Sequence, residues 1–585
     1  MNIKSFILLV VVMLMTQPLN FGKVKGIQGV GGTKAPVGIT TPSIIPCIDL
    51  QFIDFSYIPG APTKVISAAV VTDAFSGEDS CQLTTLTSPQ VKSTTITLPI
   101  NTWQGIWYQG GAGSYAGYLR FIGIAISDSI QFLLGLISYG QNNGGHEGKY
   151  AEDTTWAINN PALRDDWAAR SEVLMLLAVR EIHNRFYGYT PGLEIWSSCS
   201  GGGRQGDVLA QRYPQYFDGY QICAPAHYQA ALPSMHHAWL YQKSHYANGS
   251  LIMGLSKVPT LKAAVMAECD GHDGVVDNLI IDPRNCSFDP ISIACPVGVD
   301  DDTCLNPDQV AMARAFYDGV KTAGGVRLYP GWATYGSETF WGFYAMLPNS
   351  LLSASDSGYP VVWDYAMGYY RGLAFDVPRP DFQITEVNFT EAFFHTLDEM
   401  ARVYTGAVTD LSGFVARGAK MIRTHGWSDL VVPPHGHISY FVKAQKVTDG
   451  LNETNMLLYM DPALGHCEGI NGGIDNAPQN FNMLDPLISW CVNGTHPGVI
   501  IARTDATATQ QRTLPLCPYP QYQHYLGSTD DEDKYDAAFW TCVSPDHYHR
   551  NDDIVDWEGG YPKKWTEARW EEGDKGPRYR LVSMP

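Results

Sequence analysis

Beyond its first twenty positions the sequence has no uncharged apolar run approaching 18 residues, the length a helix needs to cross a bilayer. A membrane partner is therefore not expected, and the processed chain is read as soluble. Basic residues are scarce: 39 Lys and Arg stand against 59 Asp and Glu, a formal net charge of −20. Binding to a phosphate backbone draws on clustered Lys and Arg, so a nucleic-acid partner is excluded, and the acidity reads as surface charge. No CxxC pair occurs, which argues against a zinc knuckle, and no internal repeat or low-complexity tract is evident.

What is present begins with MNIKSFILLVVVMLMTQPLN, one lysine ahead of an apolar run from Phe6 to Met15. The run is too short to span a membrane and has the make-up of a secretory signal, expected over about residues 1–26 and cleaved on export. Twelve cysteines in an exported chain fit disulfides. Sequons at Asn248, Asn285, Asn388, Asn452 and Asn493 suit glycosylation on a eukaryotic secretory route. The expected location is extracellular. With 585 residues, 45% hydrophobic, the chain can bury a large core and should hold more than one domain, or one with large insertions.

Residues 27–100 carry short β-branched runs such as KVISAAVV and STTITLPI that read as strands ending in turns. Over 161–186, apolar residues at Trp167, Val173, Leu174, Leu177 and Ile182 keep near-helical spacing. GLEIWSS then reads as a strand and RQGDVLAQRYPQ as a helix; KMIRTHG and NMLLYMD read as later strands, each running into a loop. Such alternation predicts a largely parallel sheet with functional loops at the strand carboxyl ends. Residues 231–410 break the pattern with local cysteine pairs, acidic loops and an aromatic-rich stretch, and are read as an inserted lid. The expected organisation is a strand-rich region and first part of the core over 27–230, the lid over 231–410, and the rest of the core with a tail over 411–585.

The segment SSCSGGGRQG at 197–206 sits between the predicted strand and helix. That is the setting of a nucleophile elbow, G-x-S-x-G, although Ser198 stands where the first glycine would be. Ser200 is the candidate nucleophile. In α/β-hydrolases the chain order is serine, acid, histidine, which Asp429 after one predicted strand and His466 after the next satisfy. Taken singly, each could be an ordinary turn or loop residue. Cys199 directly precedes Ser200 and Cys467 directly follows His466; a disulfide needs Cα atoms within about 7 Å, so joining these two would hold nucleophile and base together.

The arrangement CS…D…HC resembles the fungal tannase and feruloyl esterase family. Further marks are WQGIWYQGGAGSYAG at 103–117, GGHEG at 144–148, CSGGGRQGDVLAQRYPQYFDGY from 199, HGWSD at 425–429, GHCEG at 465–469 and LCPYP at 516–520. The resemblance implies an α/β-hydrolase core with a large inserted lid, acting as a secreted serine esterase on phenolic esters of the ferulate or gallate kind, on plant polysaccharide or tannin. It implies an oxyanion hole from the backbone N–H of Gly201 and one from the QGGAG loop, at Gly111 or Ala112. It also implies the pairs Cys199–Cys467, Cys269–Cys286, Cys295–Cys304, Cys47–Cys81 and Cys517–Cys542, leaving Cys223 and Cys491 paired by elimination or free.

Asp270, Asp273 and Asp277 fall within eight residues of one another in the lid. Such carboxylates repel unless a cation lies among them, and oxygen ligands select calcium over zinc, although the spacing is not that of an EF-hand and a solvated acidic turn would look similar. The resemblance implies a structural calcium here, with the carbonyls of Val275 and Leu279 as further ligands. Among the lid aromatics, Trp332, Trp341, Phe343, Trp363 and Tyr365 are either core or a platform for an aryl ring. Two other readings stay open: a different carboxylic ester hydrolase, serine carboxypeptidase-like for instance, and a non-catalytic, calcium-dependent binding glycoprotein on a hydrolase fold.

Overall fold

The β-branched runs of the amino-terminal portion pair in sequence order. In the computed structural model, which describes residues 32–73, 76–87, 91–117, 129–351, 355, 357–467, 477–527, 531–545, 555 and 557 and the backbone of 568–573 and 576–581, β1 (Thr63–Thr72), β2 (Asp79–Thr87) and β3 (Val91–Pro99) form an antiparallel meander. The expected signal segment lies outside the described residues. β3 pairs antiparallel with β5 (Ile137–Asn142), which runs parallel to β4 (Ile106–Gly110). From β4 onward the sheet is parallel through β6 (Leu193–Cys199), β7 (Gly219–Cys223), β8 (Lys420–Gly426) and β9 (Met456–Asp461). The nine strands lie in the order β1-β2-β3-β5-β4-β6-β7-β8-β9. Every residue of β4, β6, β7 and β9 is buried, as expected of parallel strands covered on both faces.

Helices cover those faces. The predicted helix over 161–186 forms as Pro161–Asp165, a wide turn at Asp166–Arg170 and α1 (Ser171–Tyr187), which ends at Gly188 in the left-handed conformation. α2 (Ser200–Arg212) follows β6 without a linker. Trp103, Trp107, Trp167 and Trp196 are fully buried between sheet and helices, and each large side chain so placed contributes about 1.5–3 kcal/mol.

The segment between β7 and β8, which contains the expected insertion, has helices as its regular structure, including α3 (Val258–Cys269), α4 (Pro307–Asp318) and α5 (Val361–Gly368). Local bridges Cys269–Cys286 and Cys295–Cys304 close its loops, while Cys47–Cys81 and Cys517–Cys542 staple the two ends of the chain, all four as expected. The insertion is tied to the core by buried and part-buried hydrogen bonds. His236 and His237 donate from Nε2 to the carbonyls of Leu430 and Val431 at 2.9 and 2.8 Å, and Thr154 donates to Gly368 O at 2.7 Å. The Tyr115 hydroxyl donates to Tyr365 O at 2.7 Å, and the Ser114 and Tyr365 hydroxyls lie 2.6 Å apart. After β8, α6 (Pro434–Val447) returns across the core.

Candidate active site

The three expected residues meet at the carboxyl ends of β6, β8 and β9. Ser200 is the first residue of α2 and takes φ +60°, the strained turn of a nucleophile elbow. Its Oγ lies 2.8 Å from His466 Nε2, and His466 Nδ1 lies 2.7 Å from Asp429 Oδ2. Since Asp429 can only accept when ionised, His466 donates from Nδ1 and keeps Nε2 free to take the serine proton. Asp429 is fully buried and His466 is 8% exposed. Burial alone would raise the Asp429 pKa, but the adjacent His466 and hydrogen bonds from His425 and His466 outweigh it and hold this carboxyl well below its ordinary value. The acid therefore stays ionised across the working pH range.

Two glycines explain why these loops approach so closely. A Cβ on Gly426 would stand 2.1 Å from Leu464 O, so a side chain there would push the Asp429 and His466 loops apart. A Cβ on Gly202 would stand 1.9 Å from Ser198 Oγ, so Ser198 fits at the elbow because residue 202 has no side chain.

The oxyanion expectation needs correction. Gly111 N–H is engaged by Ser197 O at 3.3 Å, and Ala112 N–H by the Gln205 side-chain carbonyl at 3.3 Å. Gln205 is held in turn by Glu172, which accepts from Gln109, Asn142 and Gln205 at 3.1, 2.6 and 3.1 Å. Burial pushes the Glu172 carboxyl up to about 8 in spite of these donors. Both amides thus already have acceptors within the core. The part of the loop that reaches the pocket is Ser114 and Tyr115, opposite Gly201. Ser114 has φ +52°, and its backbone lies so close to Gly201 that a Cβ there would meet Ser114 O at 2.7 Å.

The pocket at Ser200 is further walled by Ala226, Gln229, Leu232, Pro233, His237, Tyr365, Val431 and Val432. Of the five aromatics considered, Tyr365 alone is among the residues lining it. Trp341 is fully buried against Phe316 and Tyr317, Trp332 stacks on His435 at 3.8 Å, Trp363 stacks on Tyr359 at 4.1 Å, and Phe343 packs on the core. Of the tandem His236-His237 in the sequence, His237 lines this wall and His236 holds the Leu430 carbonyl beside it.

Cys199 lies beside Cys467 as expected, with Cα atoms 6.1 Å apart, and also beside Cys223, 4.3 Å away across the β6–β7 pair. The three sulfurs form one buried cluster. Pairing of Cys223 with Cys491 by elimination does not occur. Cys491 stands at the opposite end of β7, against Gly219 and the carbonyl of Asp218, where burial pushes its thiol up, and a five-residue strand separates the ends by about 13 Å.

In the lid loop, Asp270 accepts from the amides of Asp277, Asn278 and Leu279, and Asp277 pairs with Arg512 at 2.8 Å. Asp273 Oδ2 is buried without a hydrogen-bond partner. Burial, reinforced by the neighbouring aspartates, raises Asp273 to about 7; burial raises Asp277 to about 6 against the pull of Arg512.

The match to the family described as Tannase and feruloyl esterase covers residues 79–538. An esterase of Xanthomonas campestris is 26% identical over 89% of this chain and 96% of its own length. The mono(2-hydroxyethyl) terephthalate hydrolase of Piscinibacter sakaiensis is 27% identical over 76% of this chain and 80% of its own. The crystal structure of feruloyl esterase B from Aspergillus oryzae superposes with a TM-score of 0.69 at 21% identity, covering 82% of this chain and 97% of that one, and establishes the α/β-hydrolase fold. On the extent of the family match, this chain belongs to the tannase and feruloyl esterase family and is a carboxylic ester hydrolase.

Proposed function

We propose that the chain is a secreted serine esterase that cleaves esters of phenolic acids through an acyl-enzyme. The observation that carries this is the continuous hydrogen-bonded line from Ser200 through His466 to Asp429, opening on a pocket with apolar and aromatic walls. Ser200 Oγ attacks the acyl carbonyl while its proton passes to His466 Nε2, and Asp429 stabilises the resulting imidazolium. His466 then delivers that proton to the departing alcohol oxygen. Water, deprotonated by the same nitrogen, releases the acid and restores Ser200. Gly201 N–H, at the positive end of α2, is one donor for the tetrahedral oxyanion, and the second comes from the Gly113–Ser114 stretch.

The acyl group is assigned as hydroxycinnamic or gallic because Tyr365 and the Leu232, Pro233, Val431 and Val432 surfaces suit a flat aryl ring, and relatives are named for feruloyl, tannin and terephthalate esters. The alcohol would be borne by plant polysaccharide or tannin. Export is supported by the disulfides and by the sequons: Asn248, Asn285, Asn388 and Asn493 are exposed and Asn452 half-buried. Methyl ferulate, methyl caffeate, methyl gallate and tannic acid, assayed beside p-nitrophenyl butyrate, test the substrate class. At least one phenolic ester should exceed the butyrate in kcat/KM by about tenfold or more. A clear preference for butyrate would reject the phenolic assignment.

The lid loop fits a divalent oxygen-bound cation, since Asp273 keeps an unpartnered oxygen and Arg512 offsets only one of three carboxylates. Asp270, Asp273 and Asp277 with the carbonyls of Val275 and Leu279 would hold calcium. Bound calcium would neutralise the loop and stabilise the fold, away from the Ser200 pocket. Added calcium should therefore raise the melting temperature, by linkage worth about 2.7 kcal/mol at a hundred times Kd, before chelation affects the initial rate. If neither chelation nor Asp273→Asn moves the melting temperature, the loop is a solvated turn.

A further inference from the structure

The groups behind Asp429 form a second line of contacts. His425 Nε2 lies 3.2 Å from Asp429 Oδ2 and 2.8 Å from Val432 O, and the Val432 N–H donates to Asp429 Oδ1 at 2.8 Å. His425 Nδ1 is 2.8 Å from His437 Nδ1, and His437 Nε2 is 2.6 Å from Arg423 Nε. Arg423 closes the line with a two-point pair to Asp207 at 2.6 and 3.0 Å. Arg423, Asp207 and Asp429 have no exposed surface, and His425 and His437 are 1% exposed.

Proton positions follow from chemistry. A guanidinium is always charged and offers only donors, so His437 Nε2 accepts. Burial and the positive charge of Arg423 hold His437 well below its ordinary pKa, so this ring is neutral and its single proton sits on Nδ1. That N–H can only donate to His425 Nδ1, which leaves the His425 proton on Nε2, aimed at Val432 O and Asp429. In the opposite tautomer, a lone pair of His425 would face two oxygens.

We propose that Arg423, His437 and His425 form a relay of fixed tautomers that presents an N–H to Asp429, making His425 and His437 positioning residues for the Asp429–His466 pair. The relay rests on the serine-esterase reading for its purpose, whereas its proton positions do not depend on turnover. Loss of the correct tautomer inside a Ser-His-Asp triad costs about 10⁴ in turnover. One step removed, an effect nearer that of an outer hydrogen-bond partner, about ten- to a hundredfold, is expected.

The test compares three forms of the full chain. In His437→Gln the side-chain carbonyl can accept from Arg423 while the amide donates to His425, so most of kcat should be retained. In His437→Leu the donor is gone, and kcat should fall about ten- to a hundredfold at nearly constant KM, because His437 does not line the pocket. Equal kcat in the Gln and Leu forms would overturn the proposal. Should the Leu form not fold, neutron diffraction of the unsubstituted protein decides: deuterium on His437 Nδ1 and His425 Nε2 is expected, and deuterium on His425 Nδ1 would refute the relay. A phenolic ester turned over normally with the wrong proton positions would reject the relay alone, and the right positions in a protein without esterase activity would reject the serine-esterase reading alone.

Discussion

Ser200→Ala should abolish ester hydrolysis, lowering kcat by about 10⁴-fold or more, while secretion and melting temperature stay close to those of the parent. Ser200 contributes one part-buried hydrogen bond to His466, worth about 1 kcal/mol, and among the described residues its hydroxyl has no other hydrogen-bond partner. Alanine keeps the Cβ, so the strain of φ +60° is the same before and after the change. His466→Ala should be as severe, since the base and the later acid are one ring. Asp429→Asn should be somewhat milder in kcat, with the wrong imidazole tautomer as its cause. Retention of more than about a tenth of the parent turnover by Ser200→Ala would remove the nucleophile assignment. A fluorophosphonate that fails to label the parent enzyme would remove it too.

The second large effect is expected at the sulfur cluster. One cysteine forms one bridge, so Cys199 joins either Cys467 or Cys223, and the two have different consequences. Cys199–Cys467 ties the residue before the nucleophile to the residue after the base across a sequence separation of 268, for which chain-entropy models give on the order of 5 kcal/mol. Cys199–Cys223 would tie two strands that the sheet already pairs. The functional bridge is therefore expected to be Cys199–Cys467, with Cys223 a buried thiol against it. Cys467→Ala, alone or with Cys199→Ala, should fold on its remaining bridges and core yet lose most of its turnover, since a displacement of about 1 Å between reacting groups costs on the order of a hundredfold. Cys223→Ala should leave turnover within about twofold of the parent, because strand pairing, not sulfur, fixes its position. Non-reducing peptide mapping of active enzyme is the direct check, and recovery of Cys199 joined to Cys223 would refute the clamp.

The grouping of Ser200, Asp429 and His466 was legible in the sequence because three local signals coincide: a serine between a strand and a helix, an acid and a histidine after successive strands, and a cysteine beside the serine and the histidine. The insertion was legible from a break in strand–helix alternation, and four bridges from the family resemblance. The oxyanion loop was not, because the Gly111 amide goes to Ser197 O, 86 residues away, and the Ala112 amide to Gln205, 93 residues away, which the buried Glu172 holds in turn. The relay was hidden for the same reason. Asp207, Arg423 and His437 stand on α2, β8 and α6, and nothing in their own neighbourhoods announces that they meet. Trp332, Trp341 and Trp363 mislead in the opposite direction, since an aromatic-rich stretch looks the same whether its rings face a ligand or one another.

The insertion is attached to the core as a fixed wall and not as a free lid. Its histidines hold the backbone of the loop after Asp429, and Tyr365 is held through its own carbonyl and hydroxyl by Tyr115 and Ser114. The two histidine contacts are buried and the two at Tyr365 part-buried, so swinging the insertion away would break several hydrogen bonds at once, each worth about 1 kcal/mol net of its replacement by water. The pocket at Ser200 is accordingly a preorganised aperture. On the phenolic-ester reading, discrimination between esters would then rest on fit to this wall, and tolerance for altered substrates is expected to come from reshaping it at Leu232, His237 or Tyr365 rather than from loosening a hinge.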